Sequence, residues 1–480
     1  MRKKIYLVQP TYRDSNGRLL QGNSLFYSSL ALPALSPTIP GDWQKEFCFE
    51  YFSNVDYETD AAVVGISTMG YDVLHGSEIA SEFKRRGKQV LFGGHQVPFS
   101  KELLAPVSDS FVFGNPSPAE MKSILEDATA GRLAREYRCG MEADYPFDYS
   151  LLARHPMKFI PLLGSIGCRN NCDFCCTAAV GNGRFHLRNL SAIRADLAQA
   201  GRLGRFAVFV DANLYNNREH LLRILSCMME LRSRLRWGAQ ATIDIGDDPE
   251  VLRRLRAAGC ILLLLGIETL SQSSMDGLNK RLDVKKHAGR VARVRKAGIA
   301  VGGYFILGLD GDSSETFGQA FEFIHQSRIA LPILNLLLPA PGTRMFQKLR
   351  RQGRLLLENP EALLRNNERY ATASSHCLFM PKQMLPAEAE AAFLELYGRL
   401  TRYREILWRC LGHGLLLDAL LLVLNWEMRK EYVAMRDCLL KNDSSADKRA
   451  FVGLSTASAN KTQRPFRPSR GVSRVLDTLF

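Results

Sequence analysis

The chain has no run of the 18–20 consecutive apolar residues that a membrane-spanning helix needs. Its most apolar stretch, LLLDALLLVLNW (415–426), is short and interrupted by Asp418. It reads as a buried helix, with a peripheral membrane contact left open. The apolar run after the charged start MRKKIYLVQP is too short for a secretory signal. Cysteines are an odd eleven at irregular spacings, which argues against a secreted disulfide framework and for a reducing, cytoplasmic compartment. Acidic residues are the scarcer sign of charge, 49 against 63 Lys and Arg, leaving a net charge of +14. That excess invites a nucleic-acid partner. The arginines, however, are spread along helix faces such as RRLRAAG (253–259) and RVARVRKAG (290–298), so solvated faces are the better reading and nucleic acid is disfavoured.

The remaining composition, 46% hydrophobic over 480 residues, supports two to three folded domains. The first part alternates strand and helix patterns. KIYLVQP (4–10), CFEYFS (48–53), AAVVGISTM (61–69), QVLFGGH (89–95) and SFVFGN (110–115) read as strands, and HGSEIASEFKRRG (75–87) as a helix with a glycine C-cap. This is the pattern of a doubly wound, Rossmann-like α/β domain over residues 1–135, followed by a linker at 136–157. A second alternating run of six strand–helix units over 158–350 predicts a (β/α)6 partial TIM barrel. Residues 351–440 read as a helical C-terminal region, with PAEAEAAFLELYGRLTRYREILWRCLGHG (386–414) as its clearest helix. The Ser-rich basic segment 441–480 reads as a disordered tail.

Scarce elsewhere, cysteine is concentrated in GSIGCRNNCDFCCTAAV (164–180), with Cys168, Cys172, Cys175 and Cys176 inside nine positions. Thiolates clustered in this way commonly hold zinc or an iron–sulfur cluster. A C-x3-C-x2-C spacing lets three sulfurs converge on one cubane while one iron stays open to another ligand. A structural zinc site calls for a second ligand pair, and no C-x2-C or H-x3-H pair lies nearby; His186 is the one neighbouring imidazole. The loop follows the first strand of the second run, where a barrel carries its chemistry.

Cys168, Cys172, Phe174 and Cys175 match the C-x3-C-x-aromatic-C signature position for position, and most of residues 158–350 resembles the radical S-adenosylmethionine (radical SAM) superfamily. The resemblance implies that the three cysteines hold a [4Fe–4S] cluster. Its open iron would chelate S-adenosylmethionine, and electron transfer from a flavodoxin- or ferredoxin-type donor would release a 5′-deoxyadenosyl radical. Cys176 has no slot in that scheme and is expected to be a packing thiol. Asp211 and Asn213 in VDAN (210–213), Glu268 in GIE (266–268), and Gly303 and Gly308 in GYFILGLDGD (303–312) are the further cofactor-binding candidates.

The first domain is similar to the cobalamin-binding domain of cobalamin-dependent radical SAM enzymes. Ser67-Thr68-Met69 matches its S-x-L motif and Gly93-Gly94 its G-G motif, so Ser67, Gly93 and Gly94 are the expected cobalamin contacts. The D-x-H-x-x-G motif that supplies an axial imidazole is absent, and His95 follows the glycines. Together with PAPGTRMFQKLRRQGRLL (339–356), the pattern is similar to the group of anaerobic tetrapyrrole cyclases and hopanoid or tetrapyrrole C-methylases. The leading expectation is a cobalamin-dependent C-methyltransferase acting on an unactivated carbon of a small-molecule, lipid or tetrapyrrole-like intermediate. The alternative is a radical cyclase or rearrangement enzyme without methyl transfer. An RNA-modifying enzyme and a non-catalytic cobalamin or redox sensor are disfavoured. The first would carry a second cluster on N-terminal cysteines, for which Cys48 and, in the linker, Cys139 are too few, and the intact cluster motif with its barrel argues against the second.

Overall fold

The structure is a computed structural model that describes residues 3–13, 18–22, 29–70, 72–155, 159–181, 183–357 and 376–443. Its first sheet comprises β1 (Lys4–Gln9), β2 (Gln44–Phe49), β3 (Val63–Ser67), β4 (Gln89–Gly93), β5 (Ser110–Phe113) and β6 (Glu136–Arg138). They pair in the order β2-β1-β3-β4-β5-β6, every neighbour parallel. Val8, Val63, Val64, Val90 and Phe92 are fully buried, as near-continuous apolar strands covered on both faces should be. The helix Val73–Arg85 lays Val73, Ile79, Ala80 and Phe83 on this sheet. The order reverses around β1, so the switch point where open α/β sheets bind ligands lies beyond the carboxyl ends of β1 and β3.

The second sheet is built from β7 (Phe159–Leu162), then, beyond the short antiparallel pair β8 (Ser165–Gly167) and β9 (Phe185–Leu187), from β10 (Phe206–Phe209), β11 (Arg236–Thr242), β12 (Cys260–Glu268), β13 (Ala300–Leu307) and β14 (Leu331–Leu336). The six long strands pair in chain order, all parallel, with β7 and β14 at the ends. One rim therefore gathers every strand C-terminus. At the other rim Phe206, Ile261, Ala300 and Ala330 form an apolar cluster with Ile406, Cys410, Leu417, Leu420 and Leu421, so the C-terminal helices close that end.

Of residues 136–157, expected as a linker, the described part, 136–155, is tied to both sheets. It supplies β6, and buried Tyr149 donates its hydroxyl to Pro161 O at 2.9 Å. Arg188, buried, donates to Ala143 O, Tyr145 O and Leu163 O, each at 2.9 Å, and pairs with Asp196 at 2.8 Å. A buried guanidinium satisfied by three carbonyls and a carboxylate fixes the path of the segment that crosses it.

Three local readings change. The strand expected at 48–53 lies earlier, at Gln44–Phe49, because the chain turns after Phe49: Phe52 and Ser53 both donate their N–H to Phe49 O, at 2.8 and 3.0 Å. The helix expected at 386–414 is two, Pro386–Leu400 and Tyr403–Cys410. Arg409, fully buried, donates to Leu400 O (2.8 Å), Ile329 O (3.0 Å) and Asn425 Oδ1 (3.1 Å). Its guanidinium takes a carbonyl freed at the end of the first helix, and the break supplies that carbonyl. The apolar run from Leu415 opens a helix that continues to Asp443, past Lys441, and Leu415 itself is exposed. The rest of the basic tail, 444–480, lies outside the described residues.

Candidate functional site

The cysteine loop starts from a turn shaped by a buried carboxylate. Asp211, just past β10, accepts from Gly164 N (2.9 Å), Ser165 N (2.6 Å) and Ser165 Oγ (2.7 Å). Burial pushes its carboxyl up to about 6 despite these donors. Asn216 extends the support by donating to Ser165 Oγ and Gly167 O, both at 3.1 Å, and by accepting from Arg169 N at 3.0 Å. Gly167 has φ +80°, and a Cβ there would stand 2.6 Å from Arg184 O on the paired strand. Cys168 emerges directly from this corner.

Beyond it the loop carries few apolar side chains, and polar clamps from distant segments hold it. Arg344 donates through Nε to Asp173 Oδ1 at 2.8 Å and through Nη1 to Asn171 Oδ1 at 2.9 Å. Met345 N donates to Asp173 O, Asp173 N donates to Leu278 O, and Asn279 Nδ2 donates to Asn171 O. Phe174 packs partly buried against the main core. Cys172 is buried, Cys168 and Cys175 are partly so, and Cys176 is exposed at the head of the short helix Cys176–Gly181.

Burial holds the free Cys168 and Cys172 thiols above their ordinary values. Burial raises Cys172 to about 12, the Lys280 ammonium opposes that shift, and Cys175 and Cys168 reinforce it. Among the described residues no group of three His, Cys, Asp or Glu side chains is arranged to hold a single metal ion. The fit to a cluster rests on donor chemistry. Three thiols of one loop lie within one another's electrostatic reach, and a cation beside them favours thiolates.

That cation belongs to a second motif. Glu268 ends β12 in the left-handed region, φ +63°, where the register with β13 shifts. A non-glycine residue held there reports local strain. Its Oε1 accepts from Lys280 Nζ at 2.5 Å, and both side chains are buried. Lys280 also donates to Gly266 O at 3.3 Å, and a Cβ on Gly266 would stand 2.6 Å from Glu268 Oε1 and 2.8 Å from Lys280 Nζ. Burial pulls the lysine down, but Glu268, Cys172 and Cys168 outweigh it and hold the ammonium above its ordinary value. The result is a positive charge fixed between a carboxylate and the cysteine loop.

Of the other candidates, Asn213 Oδ1 accepts from Tyr215 N and Thr242 N at 3.1 Å, while its buried Nδ2 has no protein partner. An unpartnered buried amide donor near the strand C-termini suits a bound acceptor. Gly303 makes room for its neighbours, since a Cβ there would meet Ile267 Cδ1 at 2.7 Å. Gly308, φ +75°, turns the chain out of β13.

In the first domain, Ser67 ends β3 and Thr68 N donates to Gly93 O at 2.9 Å. Of the two glycines, Gly94 is the one the backbone requires: φ is +108°, and a Cβ would fall 2.1 Å from Thr68 O. At Gly93 a Cβ would find only an ordinary contact, 3.5 Å from Val112 O. Thr68 Oγ1 is buried without a protein partner, an orphaned group on this edge. His95, next in the chain, is open to solvent. Two residues further on begins the helix Val97–Leu104, which carries Phe99 onto Gly342, a φ +83° residue two positions before Arg344. The ligand edge of the first sheet is thereby packed against the segment that clamps the cysteine loop.

Asn216, Asn279, Lys280, Arg344 and Phe99 were not foreseen. Each meets a partner distant in the chain, and none carries a local spacing signal.

Residues 163–324 match the family model of the radical SAM superfamily. The chain is 27% identical over 437 residues to bacteriochlorophyllide d C-12(1)-methyltransferase of Chlorobaculum tepidum, covering 86% of this chain and 91% of that one. It is 34% identical over 207 residues to hopanoid C-2 methylase of Rhodopseudomonas palustris, covering 41% and 39%. Its fold is shared with the radical S-adenosylmethionine methyltransferase TsrM of Kitasatospora setae, solved with cobalamin and a [4Fe–4S] cluster bound. There the TM-score is 0.68 at 16% identity over 91% of this chain and 100% of that one.

Proposed function

We propose that this chain, whose residues 163–324 are a radical SAM domain, is a cobalamin-dependent C-methyltransferase acting on an unactivated carbon of an apolar small molecule of tetrapyrrole or hopanoid type. Similarity to a bacteriochlorophyllide methyltransferase across nearly the full length of both chains carries this reading. The packing of the two candidate cofactor edges through Phe99 and Gly342 supports it.

When bound, the cluster supplies the electron that cleaves S-adenosylmethionine and the corrin supplies a transferable methyl group. The protein's own residues hold and shape. Cys168, Cys172 and Cys175 are the cluster ligands in this reading, and Asp211, Asn216 and Arg344 keep their loop in one conformation. Lys280 offsets thiolate charge and fixes Glu268, which with Asn213 Nδ2 offers polar contacts to S-adenosylmethionine. Gly94 and Gly93 admit the corrin nucleotide close to backbone, with Ser67 and Thr68 beside it. Phe174, Gly303 and Gly308 shape the surroundings of the second cofactor. A flavodoxin- or ferredoxin-type protein is the expected electron donor. Counting by-products per turnover in a reductive assay tests the reading against cyclisation or rearrangement.

A further inference from the structure

The exposed large apolar side chains are unevenly distributed. Of the twelve among the described residues, seven fall between Tyr403 and Trp426: Tyr403, Leu407, Trp408, Leu411, Leu415, Leu416 and Trp426. Tyr403 and Leu407 stand four residues apart on the outer face of the helix Tyr403–Cys410, whose inner face buries Ile406 and Cys410, and exposed Leu411 follows its end. The turn at Gly412–Gly414, with φ +102° at both glycines, then presents Leu415 at 86% exposure beside Leu416. Tyr403 and Trp426 stack at 6.0 Å between ring centroids, so the two helices share one surface. A contiguous patch of this composition on a folded chain marks a contact surface.

Cations flank it. Arg328 lies over the Trp408 ring at 4.6 Å and Arg429 over Tyr403 at 4.4 Å. Alongside, Arg399, Arg402 and Arg404 line a cavity of about 390 Å³. The cavity's two acids are engaged: Glu405 with His325 at 2.8 Å and Glu322 with Arg399 at 3.7 Å. Arg402 and Arg404 are exposed.

We propose that this face docks on an anionic phospholipid bilayer, with Leu407, Trp408, Leu411, Leu415 and Leu416 entering the headgroup–acyl boundary and Arg402 and Arg404 meeting lipid phosphate. Arginines with aromatic and leucine side chains on one face are the chemistry of an interfacial helix. No helix among the described residues is long and apolar enough to cross a membrane, in keeping with a surface contact. A second copy of the chain is the poorer occupant, because a two-fold contact would set this arginine flank against itself. The face lies at the rim of the barrel that the C-terminal helices close, so docking leaves the cysteine loop turned away from the bilayer.

The full chain should co-sediment with vesicles of phosphatidylcholine and phosphatidylglycerol, and much less with phosphatidylcholine alone. Its tryptophan emission should shift to the blue on binding, since Trp408 and Trp426 are exposed while Trp43 and Trp237 are buried. Combining Leu407→Ser, Trp408→Ser and Leu415→Ser should lower partitioning about tenfold. Arg402→Glu with Arg404→Glu should abolish the preference for phosphatidylglycerol. The native fold, read by far-ultraviolet circular dichroism, and cluster loading should be unchanged in both variants. Variants that sediment like the parent would overturn the proposal, as would a parent chain that ignores phosphatidylglycerol vesicles. A concentration-dependent dimer in lipid-free buffer, lost in the leucine–tryptophan variant, would assign the face to a second copy.

Discussion

Phe99 packs so closely on Gly342 that a Cβ at the glycine would stand 2.1 Å from two ring carbons. The contact joins the helix after the first sheet's glycine edge to the segment leading into Arg344, which clamps Asn171 and Asp173 of the cysteine loop. Gly342→Ala adds both a clash and a side chain at φ +83°, and should cost about 2–4 kcal/mol. Adding Phe99→Ala should recover the clash but leave about 1 kcal/mol of backbone strain. Thermal unfolding measures both. If the contact also aligns the two cofactors, Gly342→Ala should form 5′-deoxyadenosine with less methylated product per molecule cleaved.

Cys168→Ala, Cys172→Ala and Cys175→Ala should each abolish the visible absorbance of the reconstituted cluster and the cleavage of S-adenosylmethionine. Cys176→Ala should keep both, since its exposed side chain opens the following helix. Loss of absorbance in the Cys176 variant alone would mean that a different set of three thiols holds the cluster.

The two glycines of the first domain should respond differently. Gly94→Val meets Thr68 O and a disallowed φ, so it should lose cobalamin, read from the corrin absorbance of purified protein, while the cluster still loads. Gly93→Ala has ordinary room and should retain both. Equal loss in the two variants would show that the nucleotide tail, not Thr68, sets the limit at this edge.

This distinction shows what the sequence could convey. Cys168, Cys172 and Cys175 were legible because their chemistry needs a short local spacing, and the strands were legible because buried parallel strands are continuous apolar runs. Gly93-Gly94 was legible as a pair, but which glycine the fold demands depends on Thr68, on another strand. Lys280 lies twelve residues beyond Glu268, past the short helix Gln272–Gly277, and Arg344 lies 171 beyond Asp173, so neither leaves a pattern in its own neighbourhood. The helix break at Thr401 was hidden because Arg409, which takes the Leu400 carbonyl there, is placed by Ile329 O, eighty residues away.

Asp312 gives a pH test with a definite sign. It is fully buried, accepts from Leu309 N at 3.0 Å and Ser274 Oγ at 3.1 Å, and burial pushes its carboxyl up to about 6. The folded state therefore holds this proton more tightly than the unfolded chain, whose aspartate titrates near 4. Its contribution is present in acid and is lost as pH rises from about 4 through 6. Asp312→Asn can keep both hydrogen bonds, accepting from Leu309 N and donating to Ser274 Oγ, and it carries no charge. The stability of the variant relative to the parent should rise across that window, by an amount on the order of 2–3 kcal/mol. Unfolding midpoints at pH 4.5 and 7 measure it, and a difference that does not change with pH would show that Asp312 ionises as readily when folded.

Methyl transfer itself is decided by by-products. An unactivated carbon has no lone pair to attack a sulfonium, so the methyl group cannot pass directly from S-adenosylmethionine to substrate. Two separate uses of S-adenosylmethionine are then needed, one as methyl source and one as source of the hydrogen-abstracting radical, and they leave different remains. Each methylated product should be accompanied by one S-adenosylhomocysteine and one 5′-deoxyadenosine. In the proposed reaction the protein's share is position and the exclusion of water, and the packing of Phe99 on Gly342 would keep both uses at one substrate. The packing thus predicts that the two by-products rise in parallel with product mass in a reductive assay with tetrapyrrole or hopanoid substrates. Deoxyadenosine formed without homocysteine, with a product of unchanged carbon count, would identify a cyclase or rearrangement enzyme in which the first domain serves another step.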